Sequence, residues 1–293
     1  MLTLIVNPVA GHGLALKTHK KVCRYLESIK MKYHTCMTSV PGEAERISRS
    51  LAEQNAQAVA ILGGDGTVNE VVNGLAGSNV ACYFVPCGTG NDFVKVLNLP
   101  QDPIEALSKQ LAAPATRIDL GRMNDRIFAN ISGIGFDVQV LLQTARFKNW
   151  GRGIIPYLFG VIAAIRHFSP INVKVSFDEQ PERDMGLTLM SIGNGQFYGG
   201  GMKAVPTALI DDGLFDVITV DPLKNKGQIL KLLPMFVTGK HIAHPIAHFC
   251  RCKKLSLYAN EDIVINLDGE LISCRTAHFE LMEKALLIHK PVL

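Results

Sequence analysis

Apolar and polar positions in the first hundred residues alternate between two rhythms. Leu2 to Val6 is a continuous apolar run closed by Asn7-Pro8, the pattern of a buried strand. From Leu14 to Ile29 the apolar positions Leu14, Val22, Leu26 and Ile29 recur at helical spacing, with basic residues between them. Tyr33 to Thr38 reads as a second strand, and Pro41-Gly42 opens a helix rich in Glu and Arg that runs through Leu51. Ala58 to Leu62 is a third strand and leads into the glycines of Gly63 to Gly66. Val68 to Leu75 follows as a helix, and Ala81 to Val85 as a fourth strand. This alternation predicts a doubly wound α/β domain, a parallel sheet covered by helices. Right-handed crossovers put the strand-to-helix loops on one edge, where ligands bind in such sheets.

The rhythm changes after Pro114. Strand-like segments now follow one another: Arg117 to Leu120, Arg126 to Ser132, Ile171 to Phe177, Leu187 to Ile192, Phe215 to Val220, Lys254 to Tyr258, Ile263 to Leu267 and Ala277 to Met282. Turns rich in Gly, Asp, Asn and Pro separate many of them, the spacing of a β-sandwich or open barrel. Helical stretches interrupt around Val138 to His167 and Lys226 to Thr238. The expected boundary lies near Ala115. Residues 1–115 form the α/β domain and 116–282 the sandwich. The last strand, Ala285 to His289, is expected to carry 283–293 back to the first domain.

Composition narrows the class. Hydrophobic residues are 47% and charged residues 19% of 293, which excludes a disordered chain. The net charge of +4 is too small for a nucleic-acid binder, but it suits a protein that handles phosphates or touches an anionic membrane. Seven scattered cysteines read as reduced thiols in a cytoplasmic protein. The longest apolar stretch, Ile154 to Ile165, is too short to span a bilayer and contains Pro156 and Gly160.

The chemistry concentrates in three loops. Gly63-Gly64-Asp65-Gly66-Thr67 lies between a strand and a helix. Glycines let a backbone approach phosphate closely, and the helix N-terminus adds a positive dipole. An Asp in that setting makes sense beside Mg²⁺ and a nucleotide. The plain alternative is a glycine turn with Asp65 as helix cap. Asn7 to Gly13 and Gly88-Thr89-Gly90-Asn91-Asp92 follow neighbouring strands with the same ingredients. Three such loops on one edge outline a nucleotide site. There is no G-x-x-x-x-G-K-[ST] and no complete G-x-G-x-x-G, since Leu16 stands where its third glycine would be. His241, His244, His248, Cys250 and Cys252 fit no zinc spacing, and Ile246 to Cys252 reads as a strand instead.

Four stretches together resemble the bacterial diacylglycerol kinase-like lipid kinases: Asn7-Pro8 to Gly11, Thr38 to Ala44, Gly63 to Glu70 and Gly88 to Phe93. The wider superfamily includes sphingosine and ceramide kinases and, distantly, NAD kinases. Val68 to Gly74 and the Pro86 to Asp92 loop favour the lipid branch. The resemblance covers essentially the whole chain and implies an α/β nucleotide domain, a β-sandwich and an active cleft between them. It implies an ATP site lined by Asn7, Pro8, Val9, Ala10, Gly11, Thr38, Gly63, Gly64, Asp65, Gly66, Thr67, Val68, Asn69 and Thr89. It also implies a charged catalytic network of Asp65, Asp92 and Asp119, with Glu270 of Leu267-Asp268-Gly269-Glu270 as the acidic residue that takes the acceptor proton. A structural Mg²⁺ would use Asp212 and the carbonyls of Leu209 and Leu214.

Read from the residues alone, Asp268-Gly269 is a type I′ hairpin turn with a solvated Glu, and Asp211-Asp212-Gly213 is a turn. Arg146 to Arg152 holds the single Trp among basic residues and leads into Ile154 to Phe159. That combination suits either a membrane interface or a core helix with a basic rim. The expected activity is transfer of the γ-phosphoryl group of ATP to a membrane lipid hydroxyl, with diacylglycerol as the leading acceptor. The expected location is cytoplasmic with transient, peripheral membrane contact, no nucleic-acid partner is expected, and a homodimer is compatible with the chain. The competing readings are a kinase of a soluble alcohol, such as NAD kinase, and a non-catalytic nucleotide-binding regulator.

Overall fold

The computed structural model describes residues 1–147, 155–223, 225 and 227–291. Its amino-terminal half contains β1 (Leu2–Val6), α1 (Ala10–Ser28), β2 (Tyr33–Met37), α2 (Glu43–Glu53), β3 (Ala58–Gly63), α3 (Asp65–Leu75), β4 (Ala81–Pro86), α4 (Asp92–Val96) and α5 (Pro103–Ala112). The strands run parallel in the order β4-β3-β1-β2. β1 and β4 are buried along their whole length, which explains their unbroken apolar runs. Leu4 and Val6 pack under Val22 and Leu26 of α1 and Leu107 of α5, while Ile5 and Ile61 pack under Val71 and Leu75 of α3. All strand-to-helix loops therefore open on one edge.

The second half contains β5 (Ala115–Met123), β6 (Arg126–Phe128), β7 (Ile131–Gly135), α6 (Phe136–Phe147), α7 (Ile155–His167), β8 (Ile171–Phe177), β9 (Arg183–Leu187), β10 (Leu189–Gly193), β11 (Phe215–Val220), α8 (Gly227–Thr238), β12 (Ala247–Cys252), β13 (Lys254–Leu267) and β14 (Glu270–His289). Its strands pair antiparallel in the order β12-β11-β10-β7-β13-β14, with β5 on β14 and β8 on β13. Phe128 is central to this core, stacked on Phe215 at 5.8 Å and edge-on to Phe279 at 6.3 Å between ring centroids. The 20-residue β14 joins the halves, because it pairs antiparallel with β13 and β5 and parallel with β4 at Ile288 and Cys82.

Several predicted elements are divided differently. Arg126 to Ser132 is two strands, because Ala129 and Asn130 turn their N–H groups onto the Asp268 carboxylate. The segments Lys254 to Tyr258 and Ile263 to Leu267 are one strand with a register shift, and Ala277 to Met282 joins Ala285 to His289 through another. Val138 to His167 is two helices, with 148–154 outside the described residues. The helices α4 and α5 have no counterpart in the apolar pattern. The second nonetheless has a legible start, since Asp102 caps it by accepting from the N–H groups of Ile104 and Glu105 ahead of Pro103 at its first position.

Candidate active site

The three loops meet by close backbone packing. A Cβ on Gly88 would lie 2.6 Å from the Cα of Gly64, and one on Gly11 would lie 2.1 Å from the carbonyl oxygen of Cys87. Gly11, His12 and Gly13 all have positive φ, so the chain coils left-handed before α1 settles into regular helix. Asn7 ties its loop to the next one by donating from Nδ2 to Thr67 Oγ1 at 3.1 Å. Val9 is exposed, with Pro8 and Ala10 half-buried beside it. Thr38 is buried against the end of β1, its N–H donating to the carbonyl of Val6. Thr89 is exposed in its loop and Gly66 in the first turn of α3.

Asp65 organises this edge. Its Oδ2 accepts the N–H of Asn91 at 3.0 Å and its Oδ1 accepts that of Asp92 at 2.9 Å. Burial, reinforced by the negative charge of Asp92, pushes its carboxyl above the ordinary range, while the two N–H groups and Lys95 act against the shift. Asp92 pairs with Lys95 at 3.1 Å, and its Oδ2 accepts the N–H of Gly200 at 2.9 Å from the second half of the molecule. Gly200 sits at the tip of a hairpin in which Tyr198 bridges to Met202 and Gly199, Gly200 and Gly201 all have positive φ.

Between the halves lies a cleft with roughly 720 Å³ of empty space, lined by Asp65, Val68, Asp92, Asn130, Asn266 and Asp268 among others. Asp268 is half-buried and accepts the N–H groups of Ala129 at 2.6 Å, Asn130 at 3.1 Å and Ile131 at 2.9 Å. Burial nevertheless pushes it up to about 6. A second, narrower cavity adjoins the cleft. Its wall is mostly apolar, including Phe136, Val140, Val220, Ile229, Leu232 and Phe236 from β11, α6 and α8. Leu141, Tyr198 and Gly199 line both spaces, so a single wall separates them.

The remaining predicted residues are less convergent. Gly269 lines the cleft, but the Glu270 carboxylate is paired with Arg126 at 2.9 Å, and Arg126 also pairs with Glu45 at 3.0 Å. Asp268 and Gly269 both have positive φ, the geometry of a type I′ turn. Asp119 lies away from the cleft lining, where it accepts the N–H groups of Gly213 at 2.8 Å and Lys284 at 2.7 Å. It thereby holds the segment that carries Leu209, Asp212 and Leu214. Asp212 accepts the N–H of Leu214 at 3.2 Å, and burial is the largest of the effects that raise its carboxyl. One carboxylate with two carbonyls is a donor set suited to a hard cation. Among the described residues no group of three or more His, Cys, Asp or Glu side chains is arranged to hold a metal. Val68 and Asn69 are buried, and Asn69 Nδ2 donates across the domain junction to the carbonyl of Leu267 at 3.5 Å.

Sequence reasoning misses Asp268 as a cleft residue, because Asp-Gly is first of all a turn. It also misses Asn73, which donates to the carbonyl of Ile127 and accepts its N–H, fastening α3 to β6. The triple glycine at 199–201 is the visible signal that could have marked the hairpin reaching Asp92.

Comparison with known proteins agrees with this architecture. Residues 1–123 match the diacylglycerol kinase catalytic domain, and residues 130–290 match the YegS C-terminal NAD kinase beta sandwich-like domain. A diacylglycerol kinase of Staphylococcus saprophyticus is 30% identical over 269 residues, covering 91% of this chain and 88% of that protein. One from Mycobacterium tuberculosis is 30% identical over 287 residues, covering 92% and 91%. The crystal structure of a diacylglycerol kinase from Bacillus anthracis superposes with a TM-score of 0.74 at 22% identity, covering 99% of this chain and 96% of that one, which shows the shared fold. Two domains built around one cleft, together with relatives that span nearly the whole length, place the chain in the diacylglycerol kinase family as an ATP-dependent lipid kinase.

Proposed function

We propose that the acceptor is diacylglycerol and the product phosphatidic acid. The observation that carries this reading is the apolar cavity set against the cleft across one shared wall. An acyl chain in the cavity leaves the glycerol end at the cleft, where the loops of β1, β3 and β4 offer amide groups and a helix N-terminus to phosphates. In the transfer, the lipid hydroxyl oxygen bonds to the γ-phosphorus, the bond to the β–γ bridging oxygen breaks, and ADP leaves. The hydroxyl proton passes to a carboxylate, for which Glu270 is the proposed acceptor. That role requires Glu270 to leave Arg126, a half-exposed pair that holds it weakly.

The site fits Mg²⁺. Asp65 and Asp92 bring two carboxylates to one cleft, and the charge of Asp92 already raises Asp65. Both would hold the ion, which when bound spreads the charge of the transferring phosphoryl group. Contact with a membrane surface completes the proposal. No described helix is long and apolar enough to cross a bilayer. Phe159 and Ile162 on α7 and Leu230 and Val237 on α8 are exposed apolar residues on two helices of the cluster that includes the cavity-lining Phe136, Val140 and Ile229. The adjoining segment 148–154, with Trp150, lies outside the described residues.

The test is phosphate transfer from labelled ATP to a panel of lipids and soluble alcohols in mixed micelles. Diacylglycerol is expected to be labelled best, and labelling of soluble alcohols alone rules the proposal out. Glu270→Gln is expected to lower kcat by roughly 10²–10⁴-fold with ATP affinity unchanged. A large loss of nucleotide binding in that variant contradicts the assigned role.

A further inference from the structure

Arg126 carries two carboxylates at once. Its Nη1 donates to Glu45 Oε2 at 3.0 Å and its Nη2 to Glu270 Oε2 at 2.9 Å. The two partners are held differently. Asn73 of α3 grips both the N–H and the carbonyl of Ile127, the residue after Arg126 on β6. A Cβ on Gly74, the next residue of α3, would lie 2.6 Å from the carbonyl oxygen of Glu45, so glycine lets α2 and α3 pack directly at that point. Arg126 and Glu45 are therefore both fixed to α3. Glu270 instead follows the Asp268-Gly269 turn, where a Cβ on Gly269 would meet nothing within 4 Å. The Glu45 side chain is 19% exposed and that of Glu270 48%. Glu45 is the fixed counter-ion, and Glu270 is the partner with room to turn.

The place of Glu270 gives this difference a use. Asp268 and Gly269 line the cleft, whereas Arg126 and Glu270 are not among the residues of its wall. A cleft that admits a lipid hydroxyl also admits water, a competing acceptor for the same phosphoryl group. A carboxylate held at Arg126 cannot take a proton in the cleft. Releasing it leaves Arg126 paired with Glu45, so no charge is stranded and opening costs little. Every acceptor needs that opening, but only a lipid brings the binding energy of its chain to offset it.

Resting on the assignment of Glu270 as proton acceptor, we infer that Arg126 is a positioning residue that holds Glu270 out of the cleft until a lipid is bound, and so limits transfer to water. Glu45 keeps the guanidinium in place when Glu270 leaves. In the suppressed reaction the water oxygen bonds to the γ-phosphorus and the bond to the β–γ bridging oxygen breaks. The water proton passes to Glu270, and ADP and phosphate leave. No bond to Arg126 forms or breaks.

Two substitutions with opposite signs test this. Phosphate release from ATP is measured in detergent micelles without lipid, and transfer with diacylglycerol added. Arg126→Gln is expected to raise lipid-free hydrolysis roughly two- to fivefold and to lower KM for lipid by a similar factor, with kcat at saturating lipid within about twofold of wild type. Glu45→Gln leaves Glu270 as the only carboxylate on Arg126. It is expected to lower lipid-free hydrolysis and to raise KM for lipid. In a Glu270→Gln background, Arg126→Gln is expected to raise nothing. A cooperatively melting Arg126→Gln enzyme that hydrolyses ATP no faster than wild type overturns the inference, as does a gain that survives in the Glu270→Gln background. If Arg126→Gln fails to fold, Glu45→Gln decides alone, and hydrolysis at or above the wild-type rate in it overturns the inference. A Glu270→Gln enzyme that transfers phosphate to lipid as fast as wild type is a separate result, because it removes the proton-acceptor assignment on which the inference rests.

Discussion

The loop edge of the first half and the apolar cavity of the second are built from different materials. The edge is mostly backbone: left-handed glycines, loops packed Cα to Cα, and one carboxylate holding two N–H groups. The cavity is side chain, mainly ordinary Phe, Val, Leu and Ile. Backbone sites have few tolerated sequences, because only glycine permits the approach and only a short acid spans it. Side-chain cavities have many, because cores accept extensive exchange of similar volumes. The contrast teaches that the two halves of the proposed active site respond to substitution on different scales.

The sharpest way to break this comparison is at Asp65. Asp65→Asn replaces an acceptor of two backbone N–H groups and removes a charge from the cleft, so kcat/KM is expected to fall roughly 10³-fold with the fold retained. A fall smaller than that caused by single cavity substitutions would reverse the contrast. Circular dichroism alongside steady-state kinetics provides the check.

The next effect is on stability. Burial pushes Asp137 from 3.8 up to about 6, against the Asn266 amide and the N–H groups of Val138 and Asp137 itself. Because the folded value is the higher one, the native state binds more protons than the unfolded chain between those values. This group's contribution is therefore most favourable below pH ~4 and is lost as pH rises through about 6. Asp137→Asn removes the penalty, which is about 2–3 kcal/mol at pH 7.5. Thermal melts are expected to show a raised Tm at pH 7.5 and a shrinking gain as pH falls toward 4. A lowered Tm at pH 7.5 would mark Asp137 as structural instead.

The smallest effect sharpens the cavity side. Val140→Phe intrudes on the apolar space and is expected to raise KM for long-chain acceptors roughly tenfold, to affect short-chain acceptors less, and to leave KM for ATP unchanged. Equal effects on both chain lengths would show that the cavity does not hold the chain.

Legibility in the sequence follows the same division. The four parallel strands and the three loops could be read because glycine, proline and Asp punctuate them. The pairing of Asp137 with Asn266 could not be read, since it joins residues 129 positions apart whose spacing carries no period. The Arg126 partner of Glu270 could not be read either, because nothing local in Arg126-Ile127-Phe128 points to a carboxylate across the molecule. The register shifts that make one strand of Ala277 to Met282 and Ala285 to His289 also left no readable mark, and Lys284 takes a positive φ there without a glycine to announce it.

That long closing strand has a temporal consequence. Cys82 meets its neighbour Ile288 only after roughly 200 intervening residues have been synthesised, and Asp119 receives the N–H of Lys284 just as late. The amino-terminal sheet therefore spends most of translation with an unpaired edge at β4, so the chain is of the slow, nonlocal kind. Severing the chain before β14 would leave both halves with open flanks, two incomplete pieces in place of two separable domains.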